Sequence, residues 1–265
     1  MKDLHCIDLH AHIYPEKIAL HAAAAIGEFY GGILMHHDGT PEMLLAEMDK
    51  AGIDMALVHS VAIHPNRVHT INDFIAAQVA AHPDRFVGYA TLHPDMENPA
   101  DEIARAQSLG LRGVKMHNDM QQVALDDPRM TKIYEACQGV CPLLLHAGDR
   151  RYHYDNPSQI AAIARRFPGL TIIAAHLGGY SEWEAARCLA DVPNVLVDTS
   201  SSFFELGYEK MRAQIDLFGY DRVLFGTDYP MWNPKEELDA VHALGLSQEA
   251  LEKILYRNAQ RLLNF

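Results

Sequence analysis

The chain predicts an α/β protein of the (β/α)8 class, a TIM barrel folded as one domain over residues 1–265. Short apolar segments alternate with amphipathic ones from end to end, and the apolar segments number eight. The length of 265 residues fits a barrel, which runs to about 250 residues. Strict strand–helix alternation implies a parallel sheet with the helices outside it. A doubly wound open sheet is the alternative topology, but no GxGxxG follows the first strand to support a dinucleotide-binding version.

The expected strands are His5–Ala11, Met55–Val61, Phe86–Leu92, Leu111–His117, Pro142–His146, Leu170–His176, Asn194–Asp198 and Arg222–Gly226. Between them run segments of helical period, such as Met43, Leu44, Met48 and Ala51. Helix starts are written as a capping side chain before proline: Thr40-Pro41, Asn98-Pro99, Asp127-Pro128, Asn156-Pro157 and Asn233-Pro234. Ser181 and Glu184 have capping-box spacing, and Ser247–Leu263 reads as one last helix. Gly52, Gly110 and Gly169 mark exits towards the next strand.

Hydrophobic residues make up 49% of the chain, ample for a large core, and the net charge of -13 carries no block of like charge. That balance excludes a nucleic-acid footprint. The start of the chain has neither the basic nor the apolar region of a signal peptide. No apolar run reaches the roughly 18 residues of a membrane span. Cys6, Cys137, Cys141 and Cys188 contain no CxxC pair and read as reduced thiols. The expectation is a cytoplasmic protein with a small-molecule partner; the sequence does not set its oligomeric state, a homodimer being the commonest soluble assembly.

Sixteen histidines make about one His-x-His pair expected by chance, so His10-x-His12 alone is weak evidence. Position strengthens it. Alternation along Ile7–His12 puts Asp8, His10 and His12 on one face and Ile7, Leu9 and Ala11 on the other. His146 and His176 each end an apolar strand, and Asp228 follows the last one. Strand ends meet at the rim where barrel active sites lie. Imidazoles with a carboxylate there suit a first-row divalent ion that keeps one open position.

Ile-Asp-Leu-His-Ala-His at the start, His146 and His176 at strand ends, and Leu-Phe-Gly-Thr-Asp-Tyr-Pro near the end resemble the amidohydrolase superfamily. More narrowly, the chain looks like the amidohydrolase-related branch that includes aminocarboxymuconate-semialdehyde decarboxylase. The resemblance implies a metal, usually zinc, on His10, His12, His146 and Asp228, with His176 as the catalytic histidine. Lys115 bears on the metal count. Binuclear members of the superfamily carry a carboxylated lysine on this strand, which would make Lys115 and His176 second-metal ligands. The narrower resemblance is to one-metal enzymes, so one ion is expected.

Lys115, His117, Arg150 and Arg151 are the candidate groups for binding an anionic substrate. The reaction expected is hydrolysis of a small amide, lactone or related carbonyl compound by a metal-activated water. Asp228 would accept the proton and His176 would orient the water or polarise the carbonyl. The alternative on the same atoms is a non-oxidative decarboxylase, or a hydratase, of a small unsaturated carboxylic acid.

Overall fold

The computed structural model describes residues 6–264; His5, the start of the first expected strand, lies outside the described residues. The strand segments are β1 (Ile7–His12), β2 (Met55–His59), β3 (Phe86–Gly88), β4 (Ala90–Thr91), β5 (Val114–Met116), β6 (Leu143–Leu145), β7 (Ile172–Ala174), β8 (Val195–Asp198) and β9 (Val223–Leu224). β3 and β4 are two stretches of one barrel strand either side of Tyr89, whose N–H donates to Val58 O at 3.1 Å. Every pairing is parallel, from β1 to β3 and from β4 to β9. The ring closes where Leu9 N–H donates to Phe225 O at 2.8 Å and His12 N–H to Tyr229 O at 2.7 Å. The molecule is therefore a (β/α)8 barrel.

Most strands are shorter than the sequence suggests. His117, His146 and His176 sit just past the ends of β5, β6 and β7, where the backbone leaves the ladder and side chains turn across the rim. Four of the capping signals form as expected. Thr40 accepts from Met43 N–H, Asp127 from Arg129 N–H, Asn233 from Lys235 and Glu236 N–H, and Asn156 forms a capping box with Gln159. Asn98 makes no such bond. The expected box at Ser181 and Glu184 does not form. Ser181 has a left-handed backbone (φ 55°), its hydroxyl accepts from Arg150 N–H, and only a 3-10 turn, Ala185–Leu189, follows.

Alternate positions on the strands build two cores. Val58, Val114, Met116, Leu143, Leu145 and Val197 face the helices. Leu57, Val87, Tyr89, Leu144, Ile173 and Leu224 fill the barrel's interior below the rim. Gly113 is required by this filling, because a Cβ there would stand 2.5 Å from the Tyr89 ring. The C-terminal helix is interrupted by a wide π turn, Lys253–Arg257, and lays Ala259 and Leu263 against the interior cluster. Among the described residues, no helix is long and apolar enough to cross a membrane.

Candidate active site

The histidine pair on β1 is aimed by an irregularity that strict alternation does not foresee. Asp8 pairs with Ala56 and Ala11 with Val58, so three steps on β1 match two on β2, the signature of a β-bulge. Ile7 and Leu9 therefore join the interior cluster, while Ala11 packs with the helices. The expectation that Asp8 shares a face with His10 and His12 is corrected by this extra residue. Asp8 instead turns to the last strand's exit, accepting from Thr227 N–H at 3.0 Å and Thr227 Oγ1–H at 2.6 Å.

His10, His12 and Asp228 converge. Asp228 Oδ1 lies 3.4 Å from Nε2 of both histidines. His10 Nδ1 is 3.0 Å from Asp198 Oδ2, so a proton on Nδ1 is donated to that carboxylate and the Nε2 lone pair is left facing Asp228. Burial lowers His10 to about 4 and lowers His12 as well, so both rings are neutral. Burial alone would raise Asp228, but His10, His176 and His12 overcome it and hold this carboxyl well below the usual range. Neutral imidazoles and an ionised carboxylate with converging lone pairs fit a first-row divalent cation. Asp228 and His176 both adopt φ 59°, a left-handed conformation uncommon outside glycine and concentrated at functional sites.

His176 is held at both nitrogens. Its Nδ1 is 2.9 Å from Ser200 Oγ, and its Nε2 is 3.0 Å from His146 Nδ1. Ser200 Oγ also donates to Asp198. His176, His10 and Asp228 offer ligand atoms within 4.8 Å of one another. His146 stands one layer back, its ring stacked on His117 at 3.9 Å. Tyr30, on the exit of helix Glu16–Phe29, brings its hydroxyl to 2.8 Å from His117 Nε2 and 3.5 Å from His146 Nδ1.

A small, nearly filled cavity is lined by His10, His12, Lys115, His117, His146, His176 and Asp228, with Tyr30 and Met231 among its other walls. Lys115 is fully buried, and its Nζ lies 3.3 Å from His10 Nε2. Burial lowers it to about 8, against the pull of Asp228 and Asp198.

Arg150 and Arg151 are not brought into this cavity. Arg150 is 68% exposed and meets Glu205 at 3.7 Å. Arg151 is committed to Asp149 through Nε at 2.9 Å and lies over the rings of Phe29, Tyr30 and Tyr152.

Four groups at the site escaped the sequence reading: Asp198, Tyr30, His59 and the pair Asp119 and Asp155. Asp198 ends a strand in the inward register and carries the same signal as Asp228. His59 has both nitrogens buried without a hydrogen-bond partner, its ring 4.4 Å from that of His12. Tyr30 carries no local signal, since it arrives from a helix remote in sequence. Burial lifts Asp119 to about 7, and burial beside Asp119 lifts Asp155 well above the ordinary carboxyl range.

The amidohydrolase family model matches residues 7–265, and the chain belongs to that family. It is 24% identical, over 84% of this chain and 81% of the relative, to 2-amino-3-carboxymuconate-6-semialdehyde decarboxylase of Dictyostelium discoideum. It is 27% identical to gamma-resorcylate decarboxylase of Polaromonas sp., over 72% of this chain and 74% of that one. Among solved structures, an uncharacterised TIM-barrel protein of Bordetella bronchiseptica superposes with a TM-score of 0.77 at 23% identity, covering 98% of this chain and 99% of that one. A dihydroxybenzoic acid decarboxylase of Polaromonas sp., solved with manganese and the inhibitor 2-nitroresorcinol, gives 0.74 at 20% identity, over 98% and 97% of the two chains. These structural likenesses establish the shared barrel. The two curated relatives just named are decarboxylases, which overturns the expectation of amide or lactone hydrolysis.

Proposed function

We propose that this protein is a metal-dependent, non-oxidative decarboxylase of a small unsaturated or aromatic carboxylic acid. The observation that carries the reading is the agreement of two curated relatives on loss of carbon dioxide, each over most of the chain. The site chemistry supports it, because a buried lysine faces the His/Asp cluster inside a small cavity. His10, His12 and Asp228 would hold the cation, with His146 completing the set through Nδ1. Zinc suits the imidazole-rich donors; manganese is the ion in the solved Polaromonas enzyme, and metal analysis decides between them. When bound, the ion supplies a positive centre that holds substrate oxygens and takes up charge as the bond breaks.

The chain's own groups divide the remaining work. The Lys115 ammonium holds the substrate carboxylate, a charge-assisted contact strengthened by the dry interior. The carbon–carbon bond to the carboxylate breaks, carbon dioxide leaves, and the carbon takes one proton in its place. Asp228, held ionised, takes that proton from a substrate hydroxyl or from water and passes it on, while His176 fixes the orientation of the acceptor.

The test is incubation of the metal-loaded protein with hydroxybenzoates and carboxymuconate-type acids, following gas release and product mass. Release of one carbon dioxide per substrate consumed is expected. Turnover of amides or lactones without gas release would overturn the reading.

A further inference from the structure

Tyr30, the residue after helix Glu16–Phe29, brings a hydroxyl to the cavity. Beyond the imidazoles, Lys115 and Asp228, the cavity is lined by Ile26, Met35, Met120, Pro230, Met231 and Tyr30. Among these described residues Tyr30 alone has a side-chain hydrogen-bond donor, so an otherwise apolar wall presents one hydroxyl. Its position is fixed from outside. The Arg151 guanidinium lies 5.3 Å from its ring, and Arg151 Nη1 donates to Phe29 O at 2.7 Å. Phe29 stacks on Tyr152 with 5.1 Å between ring centroids, and Tyr180 meets the Tyr30 ring edge-on at 5.2 Å.

The neighbouring histidines decide where the Tyr30 proton can go. His117 Nδ1 accepts from Met120 N–H, so its proton sits on Nε2. That N–H donates to Tyr30 Oη at 2.8 Å. His176 Nδ1 lies 3.1 Å from Ser200 O, an atom that can only accept, so His176 Nε2 carries the lone pair. His146 Nδ1, 3.0 Å from that lone pair, therefore donates to it. With an ion on His146 Nδ1, the lone pair of that nitrogen is taken instead. In either state His146 cannot accept from Tyr30, although Oη is 3.5 Å away. The hydroxyl thus receives one hydrogen bond and keeps its own proton to give. A tyrosine O–H held away from bulk water ordinarily finds a partner.

We propose that the Tyr30 hydroxyl is a substrate-recognition group, donating to an oxygen of the substrate carboxylate that Lys115 also holds. This rests on the reading of the substrate as a carboxylic acid. The apolar residues around Tyr30 then pack against the unsaturated body of the molecule, and the single hydroxyl selects for an anionic oxygen at one end of it. Arg151, itself outside the cavity, helps to hold the donor in place.

Calorimetric titration of the metal-loaded full chain with benzoate, and with its uncharged isostere benzamide, tests it. Tyr30→Phe keeps the ring and its packing and deletes the donor, so metal content and melting temperature should stay at wild-type values. Affinity for benzoate should fall about 10–100-fold and affinity for benzamide only about 2–10-fold, as hydrogen bonds to charged and neutral acceptors differ. Undiminished benzoate affinity in Tyr30→Phe, or an equal loss for both ligands, would overturn the proposal, as would a wild type that binds no benzoate. The decarboxylase reading fails separately: benzoate binding that depends on Tyr30, without gas release from any carboxylic acid, keeps the donor and removes only the reaction.

Discussion

Asp198 Oδ2 lies 3.0 Å from His10 Nδ1, and both groups are buried. Burial would raise Asp198, but His10, its hydrogen bond and His176 bring the carboxyl down to about 2, so it acts as a permanent acceptor. The tautomer of His10 is set by this contact. Asp198→Asn replaces the acceptor with an amide, which cannot impose that tautomer. Mn²⁺ or Zn²⁺ affinity should fall about 10–100-fold with little change in melting temperature. Unchanged affinity by competition titration would show that Asp198 does not orient His10.

His10 and His176 should respond differently. His10→Ala removes a lone pair aimed at Asp228 and is expected to abolish binding at that centre. Nδ1 of His176 is held by Ser200, and the one-metal reading places His176 beside the ion and not on it, so His176→Ala should retain the ion. Its turnover should fall ~10²–10⁴-fold, the usual contribution of a proton-handling or positioning group. If metal analysis finds His176→Ala as depleted as His10→Ala, His176 is a ligand.

Lys115→Met keeps length and removes the charge. A charged hydrogen bond is worth about 1.5–3 kcal/mol, so kcat/KM for decarboxylation should drop about 10–100-fold. Steady-state kinetics on a carboxylic acid substrate measures this, and an unchanged kcat/KM would free Lys115 from the role of carboxylate anchor.

Glu237, on helix Pro234–His242, is raised to about 8 by burial and by the nearby Asp228 and Asp8. The folded chain thus binds a proton that the unfolded chain releases at its ordinary carboxyl pKa. Stability from this group is fully present below that ordinary pKa and is lost as pH rises through about 8. Glu237→Gln removes the loss. Its melting temperature relative to wild type should climb between pH 5 and pH 9; a constant difference across that range would refute the assignment.

Much of this was legible in the sequence, for physical reasons. Strand–helix alternation and capped prolines report the barrel directly, because each reflects a local backbone requirement. His10, His12, His117, His146, His176, Lys115 and Asp228 line one cavity because residues at strand ends have nowhere else to point. Arg150 and Arg151 lie past such an end, where loop direction is set by tertiary contacts with Glu205, Asp149 and Phe29. Tyr30 and the Asp119–Asp155 pair become visible only when distant segments are folded together. The chemistry was the less legible part, since hydrolysis and decarboxylation share their donor atoms and differ in what the cavity admits.

The bulge on β1 makes that strand run in two phases. Leu9 belongs to the apolar plug and His10, its immediate neighbour, to the polar rim, so the boundary between a layer that stabilises and a layer that reacts falls within one peptide unit. Substitutions at Ile7 and Leu9 therefore report on stability and those at His10 and His12 on chemistry, although all four lie within six residues. A redesign that restored regular alternation would have to surrender one layer to keep the other.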